Sequence, residues 1–267
     1  MSAVRLTILG AGTLLPDRVR HSAAHHVAAG KVSLLLDCGA GTLHALDGTF
    51  GPRLDSLTHV AITHFHTDHW GDLESLFFAW RHSPGGGRSA PLTLLGPEGL
   101  RERLEALAAA HGDFVLDPGF PLDVVELAHG ARWAEGSLTL SAHRTEHTPE
   151  SLAFRVEVDG VSVGYTGDTG PCEGLGAFFA RVEALVSECA VPDPPPVDNH
   201  LSPAGVAALA GEARPRVLVT THAFPALPAD EVPALVREAG YTGDVLAGVD
   251  GLALELEPGA WRPAPVD

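Results

Sequence analysis

The stretch Thr63-His64-Phe65-His66-Thr67-Asp68-His69-Trp70-Gly71-Asp72 decides how this chain is read. It sets three histidines and a carboxylate within six positions, directly behind the apolar run Leu57 to Ile62. An extended strand sends alternate side chains to one face, so His64 and His66 are expected to point the same way. Asp68 and His69 then fall where the chain turns into a helix over 71–81, whose Leu73, Leu76, Phe77 and Trp80 repeat as an i, i+3, i+4, i+7 stripe. Nitrogen and oxygen donors thus gather at a strand-to-helix turn on the rim of a core. Imidazole and carboxylate are good ligands for zinc and similar dications. A histidine-rich surface loop is the bland alternative in a chain with fifteen histidines.

Matching donors lie further along. Asp168 follows the apolar strand that ends Tyr165-Thr166-Gly167, and His222 follows Val217-Leu218-Val219-Thr220-Thr221. Three separate strands therefore each run into a candidate ligand, His64, Asp168 and His222, and residues at one end of a sheet converge in space. His143 and His147 both precede the strand starting at Ser151, and one of them is expected to join the set. His200, in a loop before a helix start, reads equally as a solvated loop residue or a catalytic group. Asp37 ends the strand Val32 to Leu36 before a glycine-rich turn. It either orients a metal-bound histidine from behind or caps the following helix. His25 and His26 read as sheet or pocket-wall residues.

The remaining pattern is a run of short strands, then strands and helices in alternation. Strands are expected over 4–9, 92–95, 122–127, 137–142, 152–158, 161–166, 184–188 and 252–256, with Asp159-Gly160 as a hairpin turn. Helices are expected from Pro97, over 170–176, from the Ser202-Pro203 cap to Ala213, and over 230–239. Residues 82–91 read as a loop able to form one lip of a pocket. Mixed sheets covered by helices fit this order, within one domain over 1–267.

Composition narrows the function classes. A formal net charge of −17 repels phosphate backbones and argues against broad nucleic-acid binding. No apolar run approaches the ~20 residues of a membrane span, and the N-terminus flows into a strand pattern instead of a signal peptide. Cys38, Cys172 and Cys189 are odd in number and widely spaced, as expected of reduced thiols in the cytoplasm and of small core residues.

His64, His66, Asp68 and His69 match the His-x-His-x-Asp-His signature of the metallo-β-lactamase superfamily, and further segments resemble its ribonuclease Z-like branch. These are Leu9-Gly10-Ala11-Gly12-Thr13 with Pro16 and Arg20, Leu36 to Thr42, Glu146-His147-Thr148-Pro149, Thr166-Gly167-Asp168-Thr169-Gly170, Asn199-His200-Leu201-Ser202-Pro203 and Thr220-Thr221-His222. The resemblance runs over nearly the whole chain and picks His147 over His143. It implies an α+β fold, a four-layer αββα sandwich, with two divalent metals at one edge, zinc first and manganese or iron as alternatives. His64, His66 and His147 would hold one metal and Asp68, His69 and His222 the other, with Asp168 bridging. A hydroxide between them would be the nucleophile. Asp68 would accept its remaining proton, and His200 would touch a phosphate oxygen or donate to the leaving group.

The chain departs from ribonuclease Z at two places. Only 21 positions separate His147 from Asp168, where that enzyme usually inserts a long tRNA-gripping arm. Ala223-Phe224-Pro225 stands where its usual Ser-x-Arg-Tyr would follow His222. The expectation is an armless phosphodiesterase acting on a small or cyclic diester, without nucleic acid or membrane as partner, and with a homodimer as the assembly that analogy with relatives suggests. A thioester, lactone or sulfate-ester hydrolase is the alternative, since His147-Thr148-Pro149 also resembles the glyoxalase II ligand motif. A tRNA 3′ nuclease and a metal-binding protein without turnover stand further off.

Overall fold

The computed structural model describes residues 3–46, 52–82 and 87–264. Among these, eight strands form one sheet in the order Ala260–Pro263, Ala253–Glu257, Val4–Gly10, Ala24–Ala29, Val32–Leu36, His59–Ala61, Leu92–Pro97, Leu122–Leu127. Seven form a second in the order Val245–Ala247, Val217–Thr221, Ala184–Glu188, Val161–Tyr165, Leu152–Val158, Leu138–Arg144, Arg132–Glu135. Each sheet is antiparallel in one half and parallel in the other, the parallel halves starting at Val32–Leu36 and Val161–Tyr165. Strands Val161–Tyr165, Ala184–Glu188 and Val217–Thr221 are buried on both faces, which is why Val217 to Thr221 carries no alternation.

Alternation elsewhere sorts side chains into three cores. Leu34, Leu36, Leu140, Phe154, Val186 and Val219 fill the space between the sheets. Leu35, Val60 and Leu94 face outward, under Leu76, Phe77 and Trp80 of helix Leu73–His82 and Leu100 of helix Leu100–His111. Leu185 and Leu218 face the other way, under Val206 and Ala210 of helix Pro203–Ala213 and Val236 of helix Val232–Glu238. Helix, sheet, sheet, helix is the expected αββα sandwich.

Several boundaries differ from the pattern reading. The strand before the histidine motif is only His59–Ala61, because the Thr63 N–H turns aside to donate to the Asp37 carboxylate at 2.7 Å. The motif helix begins earlier, as a separate turn Thr67–Trp70 ahead of Leu73–His82. Between them Asp72 is drawn off, accepting from the Gly41 and Leu43 N–H groups. Pro97 closes a strand, and its helix starts only after Gly99, whose φ of 92° suits a residue without Cβ. The helix expected over 170–176 is Leu175–Phe178. Strands Arg132–Glu135, Val245–Ala247 and Ala260–Pro263 escaped notice because they are short edge strands, the first and last mostly solvated. Of the loop 82–91, residues 83–86 lie outside the described residues. Cys38 and Cys189 are core residues as expected, but Cys172 is only half-buried. No described helix is long and apolar enough to cross a membrane.

His25 and His26 are both buried in their strand, as sheet residues. Burial, with Arg5 adding to it, lowers the His26 pKa to about 4. A histidine whose folded pKa is depressed destabilises the fold as pH drops, since the unfolded chain binds the proton first. Between its unfolded value of 6.5 and about 4, His26 should cost about 1.4 kcal/mol per pH unit. His26→Gln, which can keep the 2.8 Å bond to the Ser33 hydroxyl, should show a shallower fall in urea midpoint across that window. Parallel curves would show that His26 does not titrate there.

Candidate metal centre

The donors sit where the parallel halves of the two sheets end side by side. Thr63 links them, its carbonyl accepting from Leu152 N–H at 3.0 Å. Gly167 faces it with φ of 55°, and a Cβ there would come within 2.9 Å of the Thr63 side chain. A side chain at 167 would push the sheets apart just before Asp168. His222 and Asp37 also have positive φ, 60° and 58°. Such backbone in non-glycine residues costs on the order of 1–3 kcal/mol and gathers at functional sites.

All seven expected ligands come together. Donor atoms of His64, His66, His147 and Asp168 form one cluster, and those of Asp68, His69 and His222 a second. Within the first, His147 Nε2 lies 3.0 Å from His66 Nδ1. Within the second, His222 Nε2 lies 3.1 Å from Asp68 Oδ2 and 3.4 Å from His69 Nε2. Asp168 stands between them. Its Oδ2 is 3.6 Å from His147 and 3.9 Å from His64, while its Oδ1 is 3.3 Å from His69 and 3.6 Å from His222. One carboxylate thus offers an oxygen to each cluster.

Neighbouring groups hold the imidazoles in the ligand orientation. Asp37 Oδ2 accepts from His69 Nδ1 at 2.7 Å, so His69 Nε2 faces the cluster. The same carboxylate accepts from the Thr63 hydroxyl at 2.8 Å and the Tyr165 hydroxyl at 2.7 Å. This settles Asp37 as an orienting group; the N-cap of helix Thr42–Ala45 is Gly41. His147 Nδ1 donates to the Asn199 carbonyl at 3.1 Å, turning Nε2 inward. Burial opposes ionisation of Asp68, but His222 and His69 outweigh it and hold the carboxyl at about 2. Asp168 is likewise held well below the usual carboxylate range by His222 and His69, against its complete burial.

The residues fit a metal. His64 Nε2 and Asp168 Oδ1 are buried without a hydrogen-bond partner, which is costly for a polar atom unless something else satisfies it. Nitrogen lone pairs aimed at one another around a carboxylate suit a divalent cation.

His200 stands next to these clusters, with a ring nitrogen close to donors of Asp168 and His222. Its Nδ1 donates to Glu188, 3.0 Å from Oε1. Burial works against the imidazolium, yet the Glu188 carboxylate prevails and raises the His200 pKa above its ordinary value. Glu188, fully buried, also accepts from the Thr169 N–H at 2.6 Å and the Leu201 N–H at 3.2 Å. Sequence reasoning passed over it as the last residue of a strand. A carboxylate closing the strand that opens Ala184-Leu185-Val186 was the available signal. His143 stays outside, its Nδ1 donating to the Arg144 carbonyl at 2.7 Å. His25 joins neither cluster.

This fold and this donor set define a metal-dependent hydrolase. A family model described as a beta-lactamase superfamily domain matches residues 33–223. Ribonuclease Z of Mycobacterium bovis is 30% identical over 280 aligned positions, covering 96% of this chain and 99% of the relative. Among solved structures, the metallo-beta-lactamase fold protein YhfI of Bacillus subtilis superposes with a TM-score of 0.82 at 21% identity, over 96% of this chain and 100% of its own. The short form of human tRNase Z gives 0.72 at 22% identity, over 93% and 98%. The chain belongs to the metallo-β-lactamase superfamily, in its ribonuclease Z-like branch. The Mycobacterium bovis relative aligns with this chain almost end to end.

Proposed function

We propose that the protein is a dinuclear phosphodiesterase acting on a small or cyclic phosphodiester. The observation that carries this reading is the pairing of a two-sided Asp168 with a Glu188-backed His200 on the same floor. When bound, two dications lower the pKa of water and draw charge from a phosphoryl oxygen. His64, His66 and His147 would hold one and Asp68, His69 and His222 the other, with Asp168 between. Zinc is the first expectation, manganese and iron the alternatives.

The chain's own residues divide the proton work. As the water oxygen bonds to phosphorus, Asp68 takes the water proton. As the bond from phosphorus to the ester oxygen breaks, His200 gives a proton to the departing alkoxide. Its Nδ1 is engaged by Glu188, so Nε2 is the donating atom. Cleavage of one diester by one water yields one monoester and one alcohol, with no redox partner.

The name of the curated relatives favours one rival, cleavage of a tRNA precursor. The charge of −17 weighs against a polyanion. A metal-quantified preparation should therefore be offered a chromogenic phosphodiester, a thioester, a lactone and a tRNA precursor. Diester turnover at about two metals per chain, with none on the precursor, is the expected result. Turnover of the thioester or lactone alone would overturn the phosphodiesterase reading. Efficient cleavage of the precursor would assign the rival.

A further inference from the structure

The floor of the centre opens into a cavity of about 520 Å³. His66, Asp68, His147, Asp168, His200 and His222 line its polar part. Leu14, Leu15, Phe65 and Phe224 make the rest of the wall largely apolar, and no lysine or arginine stands among its described lining residues.

These apolar groups are held in place. Asp250 closes the base of the 11–21 loop, accepting from Ala11 N–H at 2.9 Å and His21 N–H at 2.7 Å. Within it the Leu14 N–H donates to Asp68 Oδ2 at 3.1 Å, tying the loop to a residue of the cluster. Leu14 and Leu15 nevertheless expose 57% and 49% of their surface. Two large apolar side chains fixed in water at the mouth of a site are accounted for when a bound molecule covers them. Phe224 is anchored through its N–H to the Ala190 carbonyl at 3.0 Å. Its ring lies edge to face with His200, centroids 5.2 Å apart. The Arg103 guanidinium lies over the Phe65 ring at 5.3 Å and does not itself line the cavity.

We infer that the site selects esters carrying a flat, weakly polar ring, which Phe224, Leu14 and Leu15 receive beside His200. This deepens the hydrolase reading above and rests on it. Because Phe224 adjoins the residue proposed to protonate the departing oxygen, the ring belongs to the leaving alcohol. A wall without lysine or arginine suits a substrate of low charge, and an apolar ring gains by leaving water.

Calorimetric titration of the metal-loaded protein with phenylphosphonate and methylphosphonate tests the inference without turnover. The phenyl compound should bind about tenfold tighter, roughly 1.4 kcal/mol. Phe224→Ala should bring the two within about twofold, and Leu14→Ser should narrow the ratio partway. Phe78→Ala, at an exposed phenylalanine away from the cavity, should leave it intact. Equal affinities in the unaltered protein, or a preference that survives Phe224→Ala, would overturn the inference. Should neither phosphonate bind, the phosphodiesterase reading fails, and phenylacetate against acetate carries the same comparison. A ring preference lost in Phe224→Ala would then sustain the apolar wall, and its absence would refute it. Dissociation of a dimer by Leu14→Ser in sedimentation would assign the leucines to a second copy of the chain and overturn their part.

Discussion

Replacing Asp168 with alanine should lower the metal content from about two per chain to below one and cut kcat/KM for a phosphodiester by about three orders of magnitude or more. Asp168 is buried, with one oxygen 3.3 Å from His69 and the other 3.6 Å from His147. Without it the remaining ligands of the first cluster are three neutral imidazoles, and two dications would repel across a gap with no anion between them. Losing their transition-state stabilisation costs several kcal/mol, and each 1.36 kcal/mol is a factor of ten. The fold should survive, since the local backbone contacts do not need the carboxylate: Thr145 Oγ1 donates to the Asp168 carbonyl and Thr169 N–H to Glu188. His66→Ala is the graded comparison. His66 is exposed and belongs to one cluster only, so it should lose one metal and most activity while the second cluster still binds. Elemental analysis beside initial rates reads both variants. Full metal and full rate in either would mean that the clusters are not the metal site.

Much of this centre could be read before the fold was seen, and the reason is local. His64, His66, Asp68 and His69 are close in sequence, so strand and helix geometry alone brings them together. Asp168 and His222 were legible because each follows an apolar run, and strand ends in parallel sheet halves converge. The supporting groups were harder. Tyr165 reaches across the sheets to Asp37, 128 positions away, and Glu188 reaches from its strand to loop residue His200, 12 positions on, and nothing in their neighbours marks the partner. Asp37 remained open between cap and orienting group because the choice depends on whether Gly41 or Asp37 meets the helix. The short edge strands stayed hidden for a different reason. Arg132–Glu135 has one face in water and hardly any apolar repeat, so its pairing with Leu138–Arg144 comes from hairpin geometry.

His200→Ala should retain the metal yet slow cleavage by about two to three orders of magnitude in kcat, with KM little changed. The loss should depend on what leaves. A nitrophenolate departs without help, so its cleavage should fall least, while an alkyl diester needs the proton and should fall most. Loss of a phosphate contact instead would raise KM and slow both esters alike. Glu188 supplies the second half of the test. It is a positioning residue, 3.0 Å from His200 Nδ1 and out of contact with solvent. Its carboxylate raises the His200 pKa, so removing that charge lowers it, and the protonated donor disappears at lower pH. Glu188→Gln should therefore move the alkaline limb of kcat down in pH, as well as reduce its plateau. A side chain that only packed the loop would reduce the plateau and leave the limb in place. An unmoved limb, together with equal losses on both esters in His200→Ala, would remove His200 from the proton path and leave Asp68 as the one ionisable side chain assigned to proton transfer.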